Sequence, residues 1–304
     1  MRPSALTSSP ASGLDDIHPL QPVLPRWVSA LVAVPDVLSV NGVEVRLSAD
    51  LALLETRVPH ADELSSDDFR DAVRRAYEAL GLTLARIGRT AIRVWNYLPD
   101  PNRRMRPGLD RYMVFNEGRA EGYGSWYAGR EETPAPPTAT ALGTCRTLVI
   151  QLLATTGEGQ PVENPRQVPA WRYSRRYGPA PPRFSRATIA TLGGRRQLLV
   201  GGTASIVGED SQHVGDVRGQ IEETLRNIRL LVETADPGTG EACALAHLRD
   251  VRAYLTRAED APLVGRIIAS RCPHLAHLEL LLARLCRPEL LVEIEGVADL
   301  SPQG

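Results

Sequence analysis

Apolar residues recur at helical spacing between Ser65 and Gly88, where Phe69, Val73, Ala76, Tyr77 and Leu80 share one stripe. Ser66 reads as the cap of this helix, with Asp67 and Asp68 in its positively polarised first turn. A cleaner stripe of Val217, Ile221, Leu225, Ile228 and Leu231 predicts a helix from Asp216 to Thr234. Gly108 to Tyr123 is a third, glycine-weakened helix, and Leu263 to Ser270 a short fourth. Strand character runs through Ala91–Leu98, which Pro99 stops, and through Cys145–Ala154, Gln197–Val207, Ala246–Leu255, Leu275–Leu285 and Leu290–Val297. The last hundred residues thus read strand–helix–strand–helix–strand–strand.

That order predicts an α/β fold in two domains, with a mixed sheet and helices packed on one face. Residues 1–25, rich in Ser and Pro, read as a flexible N-terminal tail. The Pro- and Thr-rich segment 131–140 divides an N-terminal α/β domain (26–140) from a C-terminal domain (141–304). Residues 157–186, dense in Pro, Gly and Arg and without periodicity, read as a long functional loop.

Composition narrows the choice of partner. The formal net charge is −1, which gives no reason to expect nucleic acid or an anionic membrane. No apolar run approaches the roughly 18 residues that a membrane span needs. The N-terminus lacks the pattern of a signal peptide and the four cysteines form no CxxC pair, so a reducing cytoplasm is expected. All 35 basic residues are arginine. Codon bias accounts for that, yet it leaves every anion site to guanidinium forks or neutral donors and excludes a Schiff-base lysine.

Four stretches could carry chemistry. Residues 163–186 hold Arg166, Arg172, Arg175, Arg176, Arg183 and Arg186, interleaved with Trp171, Tyr173 and Tyr177. Guanidinium forks match carboxylates and aromatic faces cover a flat ring, although a solvated basic loop would read the same way. Gly201-Gly202-Thr203-Ala204-Ser205 ends a strand; it is either a bulge or a place where backbone amides and the hydroxyls of Thr203 and Ser205 meet an anion. In Val292-Glu293-Ile294-Glu295 the two carboxylates share one strand face, which is polar surface or the acid of a cleft. The last, Cys272-Pro-His274-Leu-Ala-His277, lacks a second ligand pair, so no metal is expected; Cys286 reads as a small buried thiol lining a pocket.

The runs RVWNYLPD (93–100), GLDRYMVFNEGRA (108–120), ENPRQVPAWRYSRRYGPAPPRFSRA (163–187), GTASIVGEDSQHVGDVRGQIEETLRNI (202–228) and LLVEIEGV (290–297) together resemble the chorismatase family. The C-terminal half also resembles the RidA (YjgF) fold, whose terminal strand carries a similar E-I-E motif with its first Glu serving a bound water. Its deaminases place an arginine on the preceding strand, and His277-Leu-Glu279-Leu departs from that pattern.

What the resemblance implies is an enzyme of secondary metabolism that cleaves chorismate to pyruvate and 3-hydroxybenzoate, with the C-terminal domain carrying the active site. The alternatives are a hydrolytic chorismatase yielding a dihydrodiol acid, and a RidA-like binding module without turnover. Glu293 is the implied acid and Cys286 a product-determining residue. Arg166, Arg172, Tyr173, Arg183, Gly201, Gly202, Thr203 and Ser205 are the expected substrate-binding residues. Aromatic-forming members carry a cysteine shortly before the acid and a glycine where hydrolytic members carry alanine; either Gly201 or Gly202 matches. No cofactor is implied, and monomer and homo-oligomer stay equally open.

Overall fold

The computed structural model describes residues 18–31, 37–126, 135–144, 146–240 and 243–301. The first half of the chain runs β1 (His18–Pro19), α1 (Arg26–Leu31), β2 (Leu38–Val40), β3 (Val43–Leu47), β4 (Leu51–Val58), α2 (Ser66–Ile87), β5 (Thr90–Pro99), β6 (Arg104–Arg106), β7 (Leu109–Asp110), α3 (Arg111–Trp126), β8 (Thr138–Thr144) and β9 (Leu148–Thr155). The second runs β10 (Gln160–Val162), β11 (Ala187–Leu192), β12 (Arg195–Ala204), β13 (Ile206–Val207), β14 (Asp210–Ser211), α4 (Val217–Ala235), β15 (Leu248–Leu255), α5 (Ala261–Arg271), β16 (His277–Leu282), β17 (Arg284–Leu285) and β18 (Val292–Asp299).

Two seven-stranded mixed sheets result, ordered β17-β8-β5-β9-β4-β3-β2 and β1-β16-β15-β18-β12-β11-β10. Strand alternation gives each sheet two apolar faces. Leu54, Val94, Ile150 and Leu152 of the first sheet pack under Phe69, Val73, Leu80 of α2 and Phe115 of α3. Leu198, Val251, Val292 and Ile294 of the second pack under Ile221, Leu225, Ile228 of α4 and Ile268 of α5. The opposite faces meet in a third core built from Leu53, Trp95, Tyr97 and Val149 against Leu199, Tyr254 and Val297. The molecule is therefore a four-layer α–β–β–α sandwich, each sheet carrying helices on one face.

The glycines that weaken α3 as a helix are what let it pack. A Cβ on Gly118 would stand 2.9 Å from Val73 Cβ, and one on Gly122 2.5 Å from Tyr77 Cβ, so α3 lies closer to α2 than any larger residue permits. The cap of α2 is Ser65 rather than Ser66: its hydroxyl accepts from Asp68 N at 3.2 Å, one step before the expected position.

Three boundaries differ from the sequence reading. The break at 140/141 falls inside β8, and β8 and β9 both belong to the first sheet, so that sheet extends to residue 155 because β5 needs partners on both sides. The tail to residue 25 is structured from His18: β1 pairs with β16, Leu20 is buried, and Val23 O accepts from Tyr97 and Arg252. Residues 275–285 are two strands, β16 in the second sheet and β17 in the first, so the chain crosses between sheets at Ala283. Cys145 lies outside the described residues.

Candidate active site

Glu293 and Glu295 sit two residues apart on β18 and point to the same side, into the space between the sheets. Their surroundings make them chemically different. Glu295, 3% exposed, accepts from Arg93 Nη2 at 2.6 Å, Trp95 Nε1 at 3.1 Å, Thr140 Oγ1 at 2.6 Å and Tyr254 OH at 2.8 Å. A carboxylate so surrounded is a charge held in place by the fold. Glu293 accepts no hydrogen bond among the described residues and lines a cavity of about 220 Å³. Burial, with the neighbouring Glu295 charge adding to it, pushes the Glu293 carboxyl up to about 8 from an ordinary 4.5. At neutral pH it carries a proton.

The cavity lies at one end of the sandwich and draws on both halves of the chain. Tyr112 and Arg119 of α3 and Thr140 of β8 come from one side, and Tyr173, Tyr177 and Arg186 from the loop before β11. Gly202 of β12 and Cys286, Arg287 and Glu293 complete the wall. The site is thus shared between the halves rather than carried by residues 141–304 alone.

Three guanidinium groups give the cavity its character. Arg119, 1% exposed, donates from Nη2 to Asn116 Oδ1 at 2.6 Å, while Nε and Nη1 are buried without an acceptor. Arg186, also buried, donates to Tyr173 OH at 2.6 Å and stacks between the Tyr173 and Phe184 rings. Arg287 lies 4.0 Å over the Tyr177 ring and donates to Glu209 O at 2.8 Å. Among the described residues none of the three forms an ion pair, although cations as buried as Arg119 and Arg186 ordinarily find an anion. A ligand carrying carboxylates would supply the missing charge.

Of the expected residues, Glu293, Cys286, Tyr173 and Gly202 line this cavity. Arg166, Arg172, Arg183, Gly201, Thr203 and Ser205 do not. Arg166 turns to α4 and pairs with Glu223, Arg172 is exposed, and Arg183 is half-buried outside the cavity. Thr203 donates to Gly201 O and Ser205 to Gln212 O, so both hydroxyls serve the backbone. Gly201 and Gly202 form a bulge opposite Glu295, where the β12–β18 register slips between Val200 and Thr203. Gly201 faces Thr138 and Ala139, whereas a Cβ on Gly202 would overlap Glu293 Oε1 and stand 2.9 Å from Cδ. Cys286 donates to Ala141 O at 3.0 Å, and burial, followed by Glu293, pushes its thiol well above the ordinary range. It is a neutral thiol and not a thiolate nucleophile. Sequence reasoning missed Arg119, whose helical context hides its direction, and Arg287, which stands apart from the arginine-rich loop.

A carboxyl pushed toward its neutral form beside guanidinium groups without ion pairs makes a cavity suited to a small, multiply anionic molecule. The model of the N-terminal domain of FkbO/Hyg5-like chorismatases matches residues 36–154. The chain is 37% identical over 239 residues to the 3-hydroxybenzoate synthase of Streptomyces hygroscopicus, covering 75% of this chain and 69% of that one. It is 37% identical over 217 residues to a chorismatase of Streptomyces rapamycinicus, covering 67% of this chain and 63% of the relative. A chorismatase crystal structure superposes with a TM-score of 0.76 at 30% identity, covering 86% of this chain and 79% of that one. A YjgF/YER057c/UK114 family member of Mycobacterium tuberculosis matches 38% of this chain and 86% of its own, at 24% identity and a TM-score of 0.29. The chain belongs to the chorismatase family.

Proposed function

We propose that this enzyme cleaves chorismate to pyruvate and 3-hydroxybenzoate, with Glu293 as the acid. The single observation that carries the reading is the neutral Glu293 carboxyl at the wall of a cavity lined by Arg119, Arg186 and Arg287. Chorismate is a dianion, and two carboxylates meet three cations here. An enol ether breaks when its methylene carbon is protonated, which places positive charge on the ether carbon. Glu293 gives that proton and its anion stands beside the developing cation. The neighbouring ring hydroxyl then displaces the pyruvyl oxygen, its proton returns to Glu293, and the ring rearranges to the phenol. Atoms balance without water.

The 37% identity to a 3-hydroxybenzoate synthase supports this product over the hydrolytic one. So does Gly202: a methyl group there has to displace the acid. Incubation with chorismate in ¹⁸O-labelled water tests the reading. Pyruvate with unlabelled 3-hydroxybenzoate is expected; a dihydrodiol acid supports the hydrolytic route, its ring oxygens also unlabelled because water attacks the ether carbon and enters pyruvate, and unchanged chorismate supports a binding module. Gly202→Ala, which pushes the carboxyl aside, is expected to lower the rate at least tenfold and raise the share of dihydrodiol acid. Cys286→Ala is expected to shift the product ratio more than the rate; chromatography of both products checks each variant, and unchanged ratios remove these residues as determinants.

No helix among the described residues is long and apolar enough to cross a membrane. Three free thiols, Cys243, Cys272 and Cys286, fit a reducing cytoplasm, where we place the enzyme. Its partner in this reading is the small molecule, and the net charge of −1 gives no support to nucleic acid.

A further inference from the structure

We infer that Glu295 and Thr140 are positioning residues for Glu293: they fix its carboxyl against the Gly201–Gly202 bulge and withhold hydrogen-bond donors from it. The inference rests on Glu293 being the acid and deepens that reading.

The hydroxyl of Thr140 is the joint of the arrangement. It donates its one proton to Glu295 Oε2 at 2.6 Å, and it accepts from Arg93 Nη2 and from Gly202 N at 3.0 Å. A hydroxyl has one donor and two lone pairs, so every valence is used. Glu295 sets the direction of that proton, because an ionised carboxylate only accepts. The Gly202 amide, beside the Glu293 carboxyl, is thereby drawn to Thr140. Arg93, 1% exposed, is likewise consumed by Glu295, Thr140 and Val94 O at 2.8 Å. Strands β5, β8, β12 and β18 are thus tied together at the cavity wall and just behind it, with Thr140 and Gly202 in the wall itself, and among the described residues the Glu293 carboxyl is left without a donor. The charged and titratable groups around Glu293 are Glu295 of its own strand, Arg93 of β5, Arg186, Arg287, Cys286 and Tyr112 of α3, and Asp110, Arg119, Tyr173, Arg176, Tyr177 and Glu289 line the same cavity. The repulsion from Glu295 and the attraction from the arginines oppose each other, so removing Glu295 tips the balance toward the anion.

Kinetics against pH test this on the full-length enzyme with chorismate. Thr140→Val keeps the shape, removes the hydroxyl and frees the Gly202 N–H to reach Glu293. Glu295→Gln removes the charge. Each is expected to move the alkaline fall in kcat to lower pH by about one unit, to lower kcat at pH 8 about fivefold, and to leave KM within about threefold. Thr140→Ser is expected to restore the parent profile. If Glu295→Gln fails to fold, Thr140→Val decides. A rate loss with the alkaline limb unmoved, or a Thr140→Ser profile like that of Thr140→Val, overturns the positioning role. Full activity in Glu293→Gln would instead overturn the underlying acid assignment, so the two failures are distinct.

Discussion

Glu293→Gln is expected to lose at least about a thousandfold in kcat while gaining thermal stability above pH 8. The rate loss follows from removing the acid proposed to protonate the methylene carbon, a contribution general acids supply at roughly 10²–10⁴-fold, with loss of the anion's stabilising charge added to it. The stability gain follows from linkage. The carboxyl titrates at about 8 in the native protein against an ordinary 4.5. Between those values the native state keeps a proton that the unfolded chain has released. The folded form is therefore undiminished below pH 4.5 and loses stability progressively as pH rises toward 8. A glutamine carries no such burden. The variant's advantage is expected to be absent at pH 4.5 and to reach a few kcal/mol above pH 8. Melting curves at pH 5 and pH 9 measure it. A Glu293→Gln variant equally stable at both values would show that the carboxyl titrates normally. The parent enzyme's kcat is expected to hold to about pH 8 and to fall beyond it, because only the protonated form gives a proton.

Arg119→Met is expected to raise KM by roughly a hundredfold or more, the scale for deleting one member of a buried, hydrogen-bonded charge pair with the ligand's carboxylate. Stability is expected to hold or rise. Arg119 is buried with no carboxylate partner among the described residues, so in the free enzyme only Asn116 Oδ1, the Phe115 ring and the neighbouring tyrosines offset its lost hydration. Methionine keeps the unbranched apolar stem beside Phe115 without that cost. Arg93 makes the informative contrast. It is equally buried but bound to Glu295, and Arg93→Met would strand that carboxylate in the core and destabilise the fold by several kcal/mol. KM and the urea midpoint together separate the two arginines; a normal KM in Arg119→Met would move the carboxylate site elsewhere in the cavity.

The contrast between these arginines shows where reading the sequence stops. Local periodicity settles local structure: the stripes at 69–80 and 217–231 became α2 and α4, and 248–255 and 292–299 became paired strands of one sheet. The E-I-E alternation placed Glu293 and Glu295 on one face, and the double glycine marked a bulge, since both depend only on neighbours in the chain. Cys286, Tyr173 and one or other of Gly201 and Gly202 were expected at the site from the family resemblance, and Cys286, Tyr173 and Gly202 line the cavity. Which guanidinium groups enter the cavity was not legible, because a dense run of arginines records number and not direction. Arg166 is taken by Glu223 of α4, 57 residues away, while Arg119 arrives on a helix that sequence alone gives no reason to turn inward. The roles of the two glutamates were equally hidden. Glu295 is held by Arg93 and Thr140, 202 and 155 residues away, and burial, with the Glu295 charge adding to it, pushes Glu293 toward the neutral form. The sequence by itself determined the elements and the kinds of side chain available; packing two sheets face to face decided which carboxyl keeps its proton, since hydration and hydrogen bonding at a buried group are set by whatever the rest of the chain brings to it.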